Sequence, residues 1–367
     1  MKEITCEYCG CTLTEEEVNH FGGVNMCSQC LHDRTLVCDH CGTRIWDSDN
    51  VGDNEIVLCT RCYDNYYTCC ESCGRVMRNG QALYFDNDDF PYCQECYVKQ
   101  SDYTIHDYSY KPDPIFYGDD KLYMGVELEM DCGGEYSANA QLLLDIANAN
   151  DENLYFKHDG SIADGFEAVS HPMSLTYHKN KMPWKQMFSK AISLDYRSHQ
   201  TSTCGLHIHV NRSAFGADVD EQEEVIGRII YFVEAHWNEL LKFSRRSEAN
   251  ICRWASRYGI ADTAKLTYDK AKNSDIGRYV CVNLLNYSTV EFRIFRGTLK
   301  YDTFIATLQL VHEICTKAIS KTDKQFEDMC WSDFVKDIDK EDKPELINYL
   351  KSKQLYVNEP TESESDV

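Results

Sequence analysis

No run of apolar residues in this chain of 367 approaches the length needed to cross a bilayer, so no membrane-spanning helix is expected. The opening residues, MKEITCEYCG, lack the apolar centre of an export signal, and the expectation is a cytoplasmic protein. Basic charge is scarce as well, with 37 Lys and Arg against 60 Asp and Glu for a net charge of -23. Nucleic-acid binding draws much of its affinity from cations placed on phosphates, so DNA or RNA is disfavoured as a partner. Apolar content is not lacking: 43% hydrophobic residues in a chain of this length can bury a sizeable core in more than one unit.

Cysteine is abundant and crowded. Of 20 in the chain, 14 fall in the first 96 residues, most as pairs spaced C-x2-C. Without an export signal, that pattern favours metal over disulfides. The pairs are Cys6/Cys9 with Cys27/Cys30, Cys38/Cys41 with Cys59/Cys62, and Cys70/Cys73 with Cys93/Cys96. Their first members, at 6, 38 and 70, recur every 32 residues, which marks an internal repeat. Each unit opens alike, as CEYCG, CDHCG and CESCG, and the glycine supplies the backbone angles of a knuckle around the sulfurs.

Four thiolates at this spacing satisfy tetrahedral Zn2+ and leave no coordination position open, so about three structural zinc sites are expected. The boundaries expected for the modules are 1–33, 34–65 and 66–100. Units this short have little core of their own, and the metal becomes their main source of folding energy. Cys11 and Cys69 are left over, with Cys69 beside Cys70 leaving two sulfurs to choose between. His20, His32 and His40 are expected at the surface. The tandem pattern resembles LIM and treble-clef zinc modules, although the paired ligands are all cysteine and seven residues separate the units. With 7 basic and 17 acidic residues in positions 1 to 100, a peptide or protein partner fits better than nucleic acid.

Residues 101–120 carry two prolines and several tyrosines without a regular period and are expected as a linker. From 121 to 355 strand-like pieces, near 124–130, 154–158, 166–171, 205–211, 279–285 and 289–296, mix with helical patterns such as 182–194, 220–243 and 301–320. This predicts an α+β domain with a largely antiparallel sheet. An acidic tail, 356–367, is expected to be disordered.

Three of the strands carry polar pairs two residues apart, which places each pair on one face. They are Glu127 with Glu129, His207 with His209, and Glu291 with Arg293. One such pair is what a solvent-facing strand shows, and two histidines alternating with Ile208 and Val210 can be core imidazoles. Three pairs of metal- or phosphate-capable side chains point instead to a site. Between them, DGSIADGFEAVSHP holds two Asp-Gly turns with Asp159, Ser161, Glu167 and Ser170; a plain hairpin accounts for the turns, and Glu167 is the functional candidate.

In order, GVELE (125–129), DGSIADGFEAVSHP (159–172), CGLHIHV (204–210), GRYVCVN (277–283) and VEFRIFRGT (290–298) resemble the motif series of the putative amidoligase family, within the glutamine synthetase and glutamate-cysteine ligase group. The resemblance covers roughly 120–320 and departs at His171, where a tighter Ser-Pro is expected. It implies a glutamine-synthetase-like fold and catalytic positions at Glu127, Glu129, Glu167, His207, His209, Arg278, Glu291, Arg293 and Arg296. It further implies Mg2+ or Mn2+ on Glu127, Glu129, Glu167 and His207, and ATP contacts at Glu127, Glu129, His209, Glu291 and Arg293.

The implied chemistry is transfer of the ATP γ-phosphoryl to a carboxylate, giving an acyl phosphate that an amine attacks, with carboxylate-held metals and arginines offsetting the phosphate charge. The competing reading is a non-enzymatic zinc-module adaptor whose ligase-like domain binds nucleotide without turning over.

Overall fold

The computed structural model describes residues 4–84, 89–100, 104–201 and 203–357; positions 358–367 of the acidic tail lie outside it. The chain divides into two compact units, Met1–Tyr103 and Thr104–Val367, so the boundary falls inside the expected linker.

In the first unit one local design is repeated three times. Short antiparallel strands flank each knuckle: Ile4–Thr5 with Thr12–Leu13, Thr35–Val37 with Arg44–Trp46, and Tyr67–Cys69 with Val76–Arg78. The knuckle closes when the Gly10, Gly42 and Gly74 amides donate to the carbonyls of Cys6, Cys38 and Cys70, each at 2.8 Å. This turn needs left-handed backbone, and the three glycines have φ of 75°, 74° and 73°. Each second cysteine pair then starts a helix: Ser28–Arg34, Thr60–Tyr66 and Gln94–Gln100 begin one residue after Cys27, Cys59 and Cys93. The repeats are joined by side chains. Trp46 of the second packs edge-on against Phe21 of the first at 4.9 Å, and the Asp53 carboxylate accepts the Val76 amide of the third at 2.8 Å.

The second unit is built on a seven-stranded sheet whose strands we number in chain order: β1 (Ile105–His106), β2 (Met124–Met130), β3 (Leu154–Lys157), β4 (Phe166–Ser170), β5 (Gly205–Asn211), β6 (Val282–Asn283) and β7 (Thr289–Arg296). Their order across the sheet is β6-β7-β5-β2-β4-β3-β1. All the pairings are antiparallel except β3 with β1, so the sheet is mixed but largely antiparallel, as expected, with one parallel pairing at this edge. The parallel edge comes from the stretch expected as linker: backbone near Ile105 finds partners on β3 instead of running free over the surface.

The apolar alternation of β2 has its predicted consequence. Met124, Val126, Leu128 and Met130 are all buried and enter one core with Ile208, Phe292 and the long helices Val219–Ala235 and Tyr301–Ser320, through Ile226, Ile230, Phe304 and Leu308. The helical pattern at 220–243 is broken at His236, whose ring reaches the Met329 carbonyl at 3.1 Å, and it continues as Trp237–Ser244. Among the described residues no helix is long and apolar enough to cross a membrane.

Candidate functional site

The sheet's pairing register sets the polar side chains in transverse rows. One row runs Lys157, Glu167, Glu129; the next runs Val169, Glu127, His207; the third runs Gly125, His209, Glu291, Asn283. Strand neighbours lie roughly 5 Å apart, so residues distant in sequence meet within the reach of one cation. Glu127, His207 and Glu291 can each bring one ligand atom within 4.8 Å of the others, and so can Glu129, Glu167 and His207. His207 belongs to both sets.

His207 Nδ1 lies 3.4 Å from Glu127 and 3.7 Å from Glu291, while its Nε2 lies 3.9 Å from Glu129. His209 Nε2 sits 3.2 Å from Glu127, and its Nδ1 meets the Thr289 hydroxyl at 3.2 Å. Thus His207 joins the two donor sets, whereas His209 flanks one of them. The Gly205 amide donates to Glu129 at 2.6 Å, and Asn283 and Asn286 donate to one oxygen of Glu291 at 2.8 and 3.2 Å. Arg293 clasps the other oxygen of Glu291, and Lys157 pairs with Glu167 at 3.3 Å.

These residues line a cleft of about 800 Å³ containing six carboxylates and four Lys or Arg side chains. Burial and mutual repulsion divide the carboxylates. Burial opposes ionisation of Glu127, but His209 and His207 beside it outweigh that and hold its pKa well below the usual range; Glu291 is held down against burial by His209, His207 and Arg293. Glu129 is pushed up by burial, and Glu167 is pushed well up by burial and the Glu127 charge. A buried group of hard oxygen donors with surplus negative charge, plus one shared imidazole, is a set that fits Mg2+ or Mn2+.

Of the positions singled out in the sequence, Glu127, Glu129, Glu167, His207, His209, Arg278, Glu291 and Arg293 all line the cleft, and Arg296 does not. Arg278 donates to the hydroxyls of Tyr108 and Tyr279 at 2.8 and 3.3 Å. Arg296 donates to the Thr201 carbonyl at 3.2 Å. Between Arg293 and Arg296 the strand is bulged: Ile208 pairs with Phe292 but Leu206 with Phe295, so β7 carries one extra residue there and Arg296 pairs with Gly205. Asp159 and Ser161 also line the cleft, with Asp159 accepting the Ser161 amide at 2.7 Å. Ser170 and His171 serve the framework instead, accepting the Val126 and Ile115 amides at 3.0 and 3.2 Å.

Sequence reasoning missed Lys157, Arg246, Asn283 and Asn286. For Lys157 a signal existed, since Tyr155 and Lys157 in LYFK repeat the spacing of the other polar pairs.

The cysteines form the second class of site. Cys9–Cys27, Cys41–Cys59 and Cys73–Cys93 have sulfurs 3.8, 3.9 and 3.8 Å apart. Zinc–sulfur bonds of roughly 2.3 Å give a tetrahedral edge of about 3.8 Å, so the thiols fit structural Zn2+. The amides of Cys9 and Cys27 point at the Cys6 sulfur and hold its pKa down at about 6. Cys38, Cys41, Cys59 and Cys62 cluster as expected, as do Cys70, Cys73, Cys93 and Cys96. Cys69 faces Tyr63 instead. The first module differs from its expected set: Cys11 lies 3.4 Å from Cys9 and clusters with Cys6, Cys9 and Cys27, while Cys30 also faces Cys27, Cys9 and Cys6. Five thiols therefore meet there. His20, His32 and His40 are exposed, His40 stacking on Tyr66.

No protein-family model and no curated protein matches the chain. The functional reading therefore rests on the residues themselves.

Proposed function

We propose that the larger unit is an ATP-dependent carboxylate-amine ligase forming an amide or isopeptide bond, and that the zinc modules recruit a peptide or protein substrate. The observation that carries this reading is the sharing of His207 between the Glu127/Glu291 and Glu129/Glu167 donor pairs. Paired cations held side by side suit phosphoryl transfer, where one clamp stabilises both attacking and leaving oxygens. The motif order resembling the putative amidoligase family, with its glutamine-synthetase-like fold, supports the same chemistry.

The chemistry that ATP and its divalent metals supply when bound is transfer of a phosphoryl group to a carboxylate, which makes that carbonyl electrophilic toward an amine. Glu127 and Glu291, both kept ionised, and Glu129 and Glu167 around His207 would hold the metals. The Gly205 amide fixes one oxygen of Glu129, and Asn283 and Asn286 fix Glu291, so neither carboxylate has to be ordered during the reaction. Arg293 and Arg246 supply positive charge to the cleft for transferring phosphate oxygens.

The test uses the zinc-loaded full chain with ATP, Mg2+ and a panel of paired carboxylate and amine donors. ADP and phosphate are expected only when both donors are present, and Glu129→Ala abolishes the release while leaving the unfolding midpoint of the larger unit within a few degrees of the parent. Absence of turnover across a broad donor panel by folded protein replaces this reading with the non-enzymatic adaptor.

A further inference from the structure

The larger unit contains a second cleft, of about 920 Å³, that the ligase reading does not use. One wall is a face of the helix Trp184–Ser193, through Lys185, Phe188, Ser189 and Ile192. The rest comes from residues 195–200, Arg245, residues 298–301, Thr303 and the end of the helix Pro344–Ser352. Five cations from these elements line it, namely Lys185, Arg197, Arg245, Lys300 and Lys353, against one carboxylate, Asp195. Among the described residues none of the five forms an ion pair, which is notable in a chain of net charge -23. Positive potential concentrated in a concave wall favours an anion.

Two polar groups on its floor lack protein partners. Ser198 is only 1% exposed, and its hydroxyl makes no hydrogen bond; the buried Nε of Arg245 makes none either. A buried hydroxyl or guanidinium N–H left unpaired costs stability unless something else completes it. Arg245 is held for the purpose: it has left-handed backbone, φ 65°, and its terminal nitrogens donate to the carbonyls of Arg296 and Gly297 at 2.5 and 3.4 Å, so the guanidinium is anchored without a neutralising carboxylate. The helix Tyr301–Ser320 also begins here. Tyr301 and Thr303 line the cleft, and the Lys300 N-cap provides no side-chain hydrogen bond to the first turn. The positive end of a 20-residue helix, with Asp302 in its first turn, thus borders the same space. Burial, then Arg296, Arg245 and Lys353, depress the pKa of His199 in this wall, as a local positive field requires.

We propose that this cleft binds a phosphate-bearing organic anion, its phosphoryl group on Arg245, Ser198 and the first turn of the Tyr301 helix, its apolar body along Phe188, Ile192 and the Tyr349 ring. Donors arriving from a guanidinium edge, a hydroxyl and backbone amides suit the several oxygens of a tetrahedral phosphoryl group better than the two of a carboxylate. The cleft is also of a size that encloses such a molecule. The proposal stands independently of the ligase reading.

The test is calorimetric titration of the zinc-loaded full chain with inorganic pyrophosphate and, separately, citrate, in the absence of added divalent metal. Pyrophosphate is expected to bind one per chain, at least about tenfold more tightly than citrate. The paired substitution Lys300→Gln/Lys353→Gln, on the rim, weakens it at least about tenfold, and Ser198→Ala weakens it about threefold, both with an unchanged unfolding midpoint. Arg245→Gln abolishes it, and the rim pair keeps the proposal testable if loss of the Arg296 clasp unfolds that variant. No pyrophosphate binding, equal binding of citrate, or undiminished binding by the rim variant overturns the assignment.

Discussion

A Cβ placed on Gly42 would have no heavy atom within 4 Å, yet its φ is +74°. Substitution there has no steric cost, only the penalty of left-handed backbone, roughly 1–2 kcal/mol. Gly42→Ala should therefore weaken zinc in the second module by about 5- to 30-fold, read by competition with a chromophoric chelator. Gly80 is equally uncrowded but has ordinary backbone, so Gly80→Ala is the control expected to change nothing. Equal affinity in the two variants would show that the knuckle does not need its glycine. The glycine was readable because it follows a cysteine pair in all three repeats. The acidic and imidazole pairs were readable for a similar reason, since two-residue spacing on a strand dictates a shared face. Arg246 had no such signature: it follows a left-handed residue after a helix, and its path to Glu129 depends on folding across nearly 120 positions. Cys11 was equally opaque, because Thr43 and Arg75 occupy its place in the other repeats.

Elements follow local pattern until another element supplies a stronger partner. Strict alternation along β7 would put Arg296, three residues after Arg293, on the opposite face; the bulge opposite His207 adds one residue and sets Arg296 across from Gly205, where it donates to the Thr201 carbonyl. Such bulges depend on pairing between strands and leave no period in either one. His178, on the short helix Leu175–Asn180, shows a further constraint set by pairing: its ring bonds the Met124 carbonyl of β2 at 2.9 Å through Nε2 and accepts the Trp184 indole N–H at 3.3 Å through Nδ1. Both nitrogens are satisfied only in the neutral ring. Protonation would set an Nδ1–H against the indole N–H, and burial lowers the His178 pKa to about 4. The unfolded chain, with an ordinary histidine pKa near 6.5, takes the proton first, so this contribution is intact above pH 6.5 and is lost as pH falls toward 4. Between pH 7 and pH 5 the larger unit should lose about 2 kcal/mol from this group. Urea unfolding followed by tryptophan fluorescence reads the loss, and His178→Gln should lower stability at pH 7 while flattening the pH dependence by that amount. An unaltered pH dependence in the variant would remove His178 as the cause.

At the scale of the whole molecule, the two units draw their stability from different sources. The larger one buries a continuous core reaching from Ile105 to Leu355. In the smaller one, the buried clusters among the described residues are Cys38, Leu58 and Cys62 of the second repeat with Tyr67 from the start of the third, and Cys70, Met77, Tyr92 and Cys93 in the third, so half of each core is cysteine sulfur. Without zinc those thiolates are close-packed like charges, and the remaining apolar side chains cannot offset the conformational entropy of some thirty residues per repeat. Structural zinc contributes on the order of 10 to 16 kcal/mol per site in peptides of this kind, enough to reverse the balance. Purified chain should therefore carry three Zn2+, one for each cysteine cluster. A strong chelator should expose residues before Tyr103 to protease while the larger unit, from Thr104, stays protected and melts at an unchanged temperature. Mass spectrometry of the digest and metal analysis of the same sample read the two halves of this expectation. A first unit that resists protease after the metal is gone would mean that its fold is carried by packing across Trp46 and Asp53, and that the thiols are not its foundation.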